Sequence, residues 1–192
     1  MKTKGEIRSH YLEKRKVLGE PHRQRLSQQI ADQAKLYLLE NQWIEHIHVF
    51  LPIQRLHEIN TWLLIQELFN LRMNVYTSVT DFDLNVMRTV SINRNTEFAT
   101  DRFGLSVPID PLIIAEEQRL DLVFVPLLAF DLKGVRVGYG KGFYDQFFTT
   151  MKGNVRKIGL SYFPAAELLP REDHDVLLDG CILPDRILNF KN

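Results

Sequence analysis

The chain has one cysteine in 192 residues, Cys181, so no internal disulfide can form. That suits a reducing compartment and sets the protein apart from small disulfide-built secreted domains. It has no net formal charge: 24 basic residues balance 24 acidic ones. Without a basic surplus there is no global electrostatic case for nucleic acid or an anionic membrane as partner. No apolar run approaches the length that spans a bilayer. The first residues, MKTKGEIRSH, lack the apolar core of a signal peptide. No low-complexity segment or internal repeat stands out. These absences leave a cytoplasmic globular protein as the expectation. Its length predicts one domain with a substantial core.

The most informative stretch runs from Asp121 to Asp145, DLVFVPLLAFDLKGVRVGYGKGFYD. Leu122 to Val125 is short, apolar and closed by Pro126. It reads as a strand buried on both faces, as in a parallel sheet. A connector, Leu127 to Lys133, follows. Then come Gly134, Gly138, Gly140 and Gly142, with Arg136 and Lys141 among them. Phe143, Phe147 and Met151, four apart, start a helical pattern. A glycine-rich loop entering a helix N-terminus suits an anion. Backbone N–H groups can approach it, and the helix dipole favours negative charge there. Arg136 and Lys141 add full charges. Asp145 falls in the first helical turn, and a carboxylate beside a polyphosphate points to Mg²⁺.

The loop matches neither well-known pattern. Gly142 stands where a Walker loop needs Ser or Thr, and Phe143 where a dinucleotide fingerprint needs Gly. A flexible surface loop with incidental charges is the alternative reading.

Elsewhere, helical spacing predicts helices over residues 4–18 and from Pro21 to near Asn41, an N-terminal helical segment (1–42) packed on the rest. Lys4 and Arg8 share one face of the first. His46 to Leu51 reads as a strand. His46 and His48 point to one side of it, at a sheet edge or on a partly exposed face, without a third metal ligand at suitable spacing. Asn60 or Thr61 caps a helix carrying Trp62 to Phe69. Glu58 precedes that helix, at a strand-to-helix junction where open α/β sheets bind ligands. Residues 73–80 and 85–93 read as two strands, paired antiparallel. Short strands follow at 156–162 and 186–190. Glu172, Asp173 and Asp179 read as surface acids, and Cys181 as a packed thiol. Alternating strands and helices predict a single α/β domain with an open, mainly parallel central sheet and helices on both faces.

Gly134-Val-Arg136-Val137-Gly138-Tyr139-Gly140-Lys141-Gly142-Phe143-Tyr144-Asp145 closely resembles the signature of the 5-formyltetrahydrofolate cyclo-ligase family, also called methenyltetrahydrofolate synthetases. The family pattern is roughly a strand, Pro, a small apolar turn, Phe-Asp, then G-x-R-x-G-x-G-x-G-[YF]-Y-D. The resemblance covers nearly the whole chain. It implies ATP-dependent, Mg²⁺-dependent cyclisation of 5-formyltetrahydrofolate by a ligase using these two small-molecule substrates. No nucleic acid or membrane partner is implied, and a monomer is expected.

By resemblance, Lys4, Arg8 and the loop from Arg136 to Tyr144 meet ATP, with Arg136 and Lys141 as the catalytic cations. Asp145 and Asp175 hold magnesium, Glu58 meets the folate, and Tyr139 to Phe143 line the junction between the ligands. Two positions depart from the family. Asn60 replaces an acid beside Glu58, which bears on capping. Val107 stands for a Glu in the segment Phe103 to Pro108. Two further readings remain open at this point: a folate-sequestering protein without turnover, and a phosphotransferase with another small substrate.

Overall fold

A computed structural model describes residues 2–84, 86–112, 120–151 and 153–190. Two helices come first, α1 (Lys4–Val17) and α2 (Glu20–Glu40). Thr3 and Glu6 close a reciprocal capping box at the start of α1, and Lys14, Arg15 and Lys16 sit at its negative end. Strand β1 (His46–His48), helix α3 (Thr61–Asn70) and strands β2 (Asn74–Asp81) and β3 (Val86–Ile92) follow. The Asn60 side chain accepts from the Trp62 N–H, so the expected cap is formed. A small hairpin, β4 (Phe98–Thr100) with β5 (Ser106–Pro108), precedes β6 (Leu122–Pro126). A second hairpin, β7 (Ala129–Phe130) with β8 (Arg136–Val137), leads to α4 (Phe143–Thr150). Strands β9 (Arg156–Leu160), β10 (Gly180–Ile182) and β11 (Ile187–Asn189) complete the chain.

Seven strands form one sheet in the order β11-β10-β9-β6-β1-β2-β3. The interior pairs β10/β9, β9/β6, β6/β1 and β1/β2 are parallel. Both outer pairs, β2/β3 and β10/β11, are antiparallel. The expected α/β class and the antiparallel pairing of β2 with β3 are borne out; Asn85, in the expected second strand of that pair, lies outside the described residues.

Period-two alternation assigns the two faces. Leu122 and Phe124 join Ile47 and the apolar stripes of α2 and α3. Val123 and Val125 turn the other way, toward Phe147 of α4. Helices therefore cover both faces, and β6 is buried throughout, as its unbroken apolar run requires. Helix α1 packs its Ile7 and Tyr11 on the β7/β8 hairpin, and Tyr11 also touches the first of these clusters through Phe163.

Three local expectations need correction. The histidine strand is interior, not at an edge, and it is shorter than the apolar run. His48 is 0 % exposed, held by Ser78 Oγ at 2.7 Å beneath Phe147. The segment 127–133 is no simple connector. It turns back on itself around buried Asp131, whose Oδ1 accepts from Lys133 and Val135 and whose Oδ2 accepts from Leu169. Asp179 is a structural acid. It accepts from the Lys157 backbone N–H at 2.8 Å and pairs with that residue's ammonium at 3.1 Å.

Gly134 belongs to this scaffold. It has φ +79°, and a Cβ there would lie 2.6 Å from the Leu178 carbonyl oxygen. Gly134→Ala is expected to cost about 2–3 kcal/mol, lowering Tm by roughly 5–10 °C in a thermal melt. An unchanged Tm would show that the turn can relax.

Burial lowers the His48 pKa to about 3, from an ordinary 6.5. Between these values the unfolded chain binds a proton that the folded chain refuses. Stability should therefore fall as pH drops through that window, by about 1.4 kcal/mol per pH unit. His48→Gln should flatten the decline in Tm between about pH 7 and pH 5; an unaltered slope would place its cause elsewhere.

Candidate active site

A cavity of about 670 Å³ opens beyond the carboxyl ends of β1 and β6, within the size range of small-molecule sites. Lys4, Arg8, Glu58, Asp175 and the whole run from Arg136 to Asp145 line it. All the expected site residues are thus brought to one cavity from four separate parts of the chain.

Helix α1 supplies one wall. Lys4 Nζ lies 2.7 Å from Asp175 Oδ2 and 3.0 Å from Glu172 Oε2. Burial works against the Lys4 charge, but these acids outweigh it and raise its pKa. The Asp175 carboxyl is held low: burial opposes ionisation, but Lys4 and the Glu172 N–H favour it more strongly. Arg8 donates from Nε to the Gly138 carbonyl at 3.0 Å, which ties α1 to the loop. Gly140, φ +92°, faces this guanidinium, and a Cβ there would come within 2.9 Å of Arg8 Cζ. Only glycine lets Arg8 lie flat on the loop.

Gly142 is the N-cap of α4 and has no side chain to occupy the helix end. Exposed Lys141 forms no ion pair among the described residues. Arg136 is turned inward. It pairs with Asp145 Oδ1 at 2.7 Å and donates to the Val176 carbonyl. The Val176 N–H returns to the same Asp145 oxygen at 3.0 Å. Val176 directly follows Asp175, so both expected metal ligands lie on adjoining segments. Their carboxylates are partly accessible from the cavity, and hard oxygen donors beside a cationic loop fit Mg²⁺. Glu172, His174 and Asp175 form a tighter acidic group, but its first two members are solvent-exposed.

Glu58 is buried in the same cavity. Its Oε2 accepts from the Ile53 N–H at 2.7 Å, and its Oε1 from the Tyr139 hydroxyl at 2.5 Å. Burial raises its pKa, against the pull of these two donors and Arg15. Phe50, Leu51 and Ile53 surround it, and Thr77, Ser78 and Met87 form the neighbouring wall. At the rim, Phe82 meets Phe103 at a tilt and Phe143 edge-on, with ring centroids 4.6 and 5.9 Å away. Val107 of β5 also lines the cavity.

Sequence reasoning overlooked Arg15 and, at the rim, Phe82 and Phe103. Arg15 is seven residues beyond Arg8, two helical turns along the same stripe, a signal present in the spacing. Phe82 and Phe103 are far apart in sequence and carried no such signal.

A model of the 5-formyltetrahydrofolate cyclo-ligase family matches residues 1–184. The chain belongs to that family. A 5-formyltetrahydrofolate cyclo-ligase of Haemophilus influenzae is 31% identical over 159 residues, covering 81% of this chain and 84% of that protein. A cyclo-ligase of Mycoplasma genitalium is 26% identical, covering 84% and 86% respectively. The solved structure of Aquifex aeolicus 5,10-methenyltetrahydrofolate synthetase superposes with a TM-score of 0.82 at 27% identity, over 98% of this chain and 93% of that one. Family membership and fold therefore agree. Among the described residues, no helix is long and apolar enough to cross a membrane.

Proposed function

We propose that this protein closes the ring of 5-formyltetrahydrofolate to 5,10-methenyltetrahydrofolate, consuming Mg·ATP and releasing ADP and phosphate. The observation that carries this reading is one cavity lined both by the cationic glycine loop and by buried Glu58 with apolar side chains. Lys4, Arg8, Lys141 and the α4 N-terminus form the phosphate end. Glu58 among apolar side chains forms the folate end. The Gly138 to Gly142 loop runs between them.

The chemistry explains why both ends must adjoin. A formamide oxygen is a poor leaving group. Its attack on the γ-phosphorus forms an O–P bond and breaks the bond to ADP. N10 then attacks the activated formyl carbon, its proton is lost, and the C–O bond breaks to release phosphate. The protein's share is alignment and charge neutralisation. The loop N–H groups, Arg8 and Lys141 would hold the triphosphate, with Lys4 and Arg136 near its end. The Glu58 carboxylate would accept from N–H groups of the reduced pteridine. Asp145 and Asp175 would hold magnesium, which when bound neutralises phosphate charge. Lys4 and Arg136, now paired with those two acids, would exchange partners with the incoming phosphate and metal.

Mixing the protein with 5-formyltetrahydrofolate, with and without Mg·ATP, tests the proposal. A rise in the near-ultraviolet absorbance of the conjugated methenyl product, requiring both ATP and Mg²⁺, is expected. Folate binding without any rise would favour a sequestering protein, for which Val107 in the cavity wall is the one supporting feature.

A further inference from the structure

Arg15 is the most buried cation in the described structure, at 3 % exposure, and no carboxylate touches it. Nη2 donates to the Leu127 carbonyl at 2.5 Å, and Nη1 to the Tyr139 hydroxyl at 2.6 Å. The rings of Tyr139 and Tyr162 lie 5.9 and 6.0 Å from its guanidinium carbon. Nε has no partner among the described residues. A Leu or Met at this position would avoid the desolvation of a charge, so stability alone does not account for an arginine here.

The hydrogen bonds run in one direction only. A guanidinium can donate but never accept, so the Tyr139 oxygen must be the acceptor toward Arg15. The Tyr139 proton is then left for Glu58 Oε1, 2.5 Å away. The Tyr162 hydroxyl donates to the Glu58 carbonyl at 2.9 Å and meets Ser27 Oγ at 3.0 Å, which fixes the backbone beneath it.

We propose that Arg15 is a positioning residue for Glu58, acting through the Tyr139 hydroxyl to fix the carboxylate where the folate substrate meets it. This rests on the reading of Glu58 as a folate contact. Each Glu58 oxygen keeps a lone pair beyond those used by Tyr139 and Ile53, so the carboxylate can still accept from two N–H groups of a ligand. The groups facing Glu58 are Arg15 from α1, Tyr139 from the loop, Tyr144 from α4 and Tyr162 from the segment after β9. Arg15 is the cation among them. Burial pushes the Glu58 carboxyl toward its neutral form; Tyr139, Ile53 and Arg15 oppose it. The Tyr139 hydroxyl also pins the glycine loop to the folate end, so loop position and carboxylate state are set by one set of bonds.

Two variants test this, Tyr139→Phe, which keeps the ring, and Arg15→Met, each checked for folding by circular dichroism and melting. Glu58 is titrated by carboxylate ¹³C NMR, its signal assigned by its loss in Glu58→Gln. The pH profile of kcat/KM for 5-formyltetrahydrofolate is measured alongside. Both variants should raise the Glu58 midpoint by about one pH unit and move the acid limb of the profile with it. KM for ATP should stay unchanged in Arg15→Met, and the double variant should shift the midpoint little further than Tyr139→Phe alone, because Arg15 acts through the Tyr139 oxygen. A folded Tyr139→Phe with an unmoved midpoint, or with activity lowered equally at every pH, would reduce the contact to packing and overturn the proposal. If the parent protein does not cyclise the folate at all, the functional reading fails, and the link between Arg15 and Glu58 is judged on the NMR midpoints alone.

Discussion

Asp145→Ala should lower turnover of 5-formyltetrahydrofolate by about 10²–10³-fold at saturating Mg·ATP. The variant removes one of two carboxylates proposed to hold the metal. It also strips Arg136, whose side chain is 5 % exposed, of its only ion-pair partner among the described residues. The Val176 N–H loses its acceptor too. The fold should therefore weaken by about 2–4 kcal/mol, as when one member of a buried pair is deleted. Asp145→Asn separates the two effects. Its amide oxygen can still accept from Val176, so much of the stability should return while the negative charge does not. Absorbance assays across a magnesium titration, beside thermal melts of both variants, read this directly. Near-parental turnover of the Asn variant at saturating magnesium would remove Asp145 from the metal site.

The second large effect is expected at Glu58. Glu58→Gln should reduce kcat/KM for the folate by about 10–100-fold, the range for losing hydrogen bonds to a charged group. KM for ATP should hold, since Glu58 bonds to Ile53 and Tyr139 and to none of Lys4, Arg8, Lys141 or Asp175. Stability should move the other way. The Glu58 pKa is raised on folding, with burial the largest cause. Above the ordinary carboxylate range the unfolded chain has released this proton more completely than the folded one, so folding becomes less favourable as pH rises. The Gln variant escapes that penalty. It should melt higher than the parent near about pH 7 and lose the advantage near about pH 4, where both side chains are neutral. A Gln variant that is less stable at both pH values, with folate kinetics intact, would make Glu58 a structural acid.

That opposition between stability and use recurs around the cavity. Lys4 faces Asp175, and Arg136 faces Asp145. Each pair joins a cation assigned to phosphate with an acid assigned to metal. Mutual neutralisation keeps four charges in a partly buried wall without leaving any of them bare. Under the proposed function, phosphate and metal arriving together would give each member a new partner of the right sign. Binding of nucleotide without the metal would leave the acids facing phosphate, which gives a physical reason to expect coupled binding.

The linear order of residues was enough for much of this. The buried run of β6, the glycine loop, the entry of α4 and the cap of α3 depend on neighbours within a few positions. Local sterics, dipoles and period decide such features, so they are legible in the chain. Lys4 with Arg8, Glu58 before α3, and Asp145 in a first turn were singled out for the same reason, and the motif tied them to a family. The tertiary structure decided what those residues meet. It placed the histidine strand in the middle of the sheet, because pairing order is set by packing between distant segments. It turned 127–137 into a hairpin around Asp131 and reserved Gly134 for Leu178, a contact 44 residues away in the chain. It paired Arg136 with Asp145 instead of leaving it open, and it carried Arg15 to Tyr139 and Glu58. Periodicity can say which side of a helix a residue occupies; only the folded chain says what faces it, because burial and charge partnership arise between segments that the sequence does not order relative to one another.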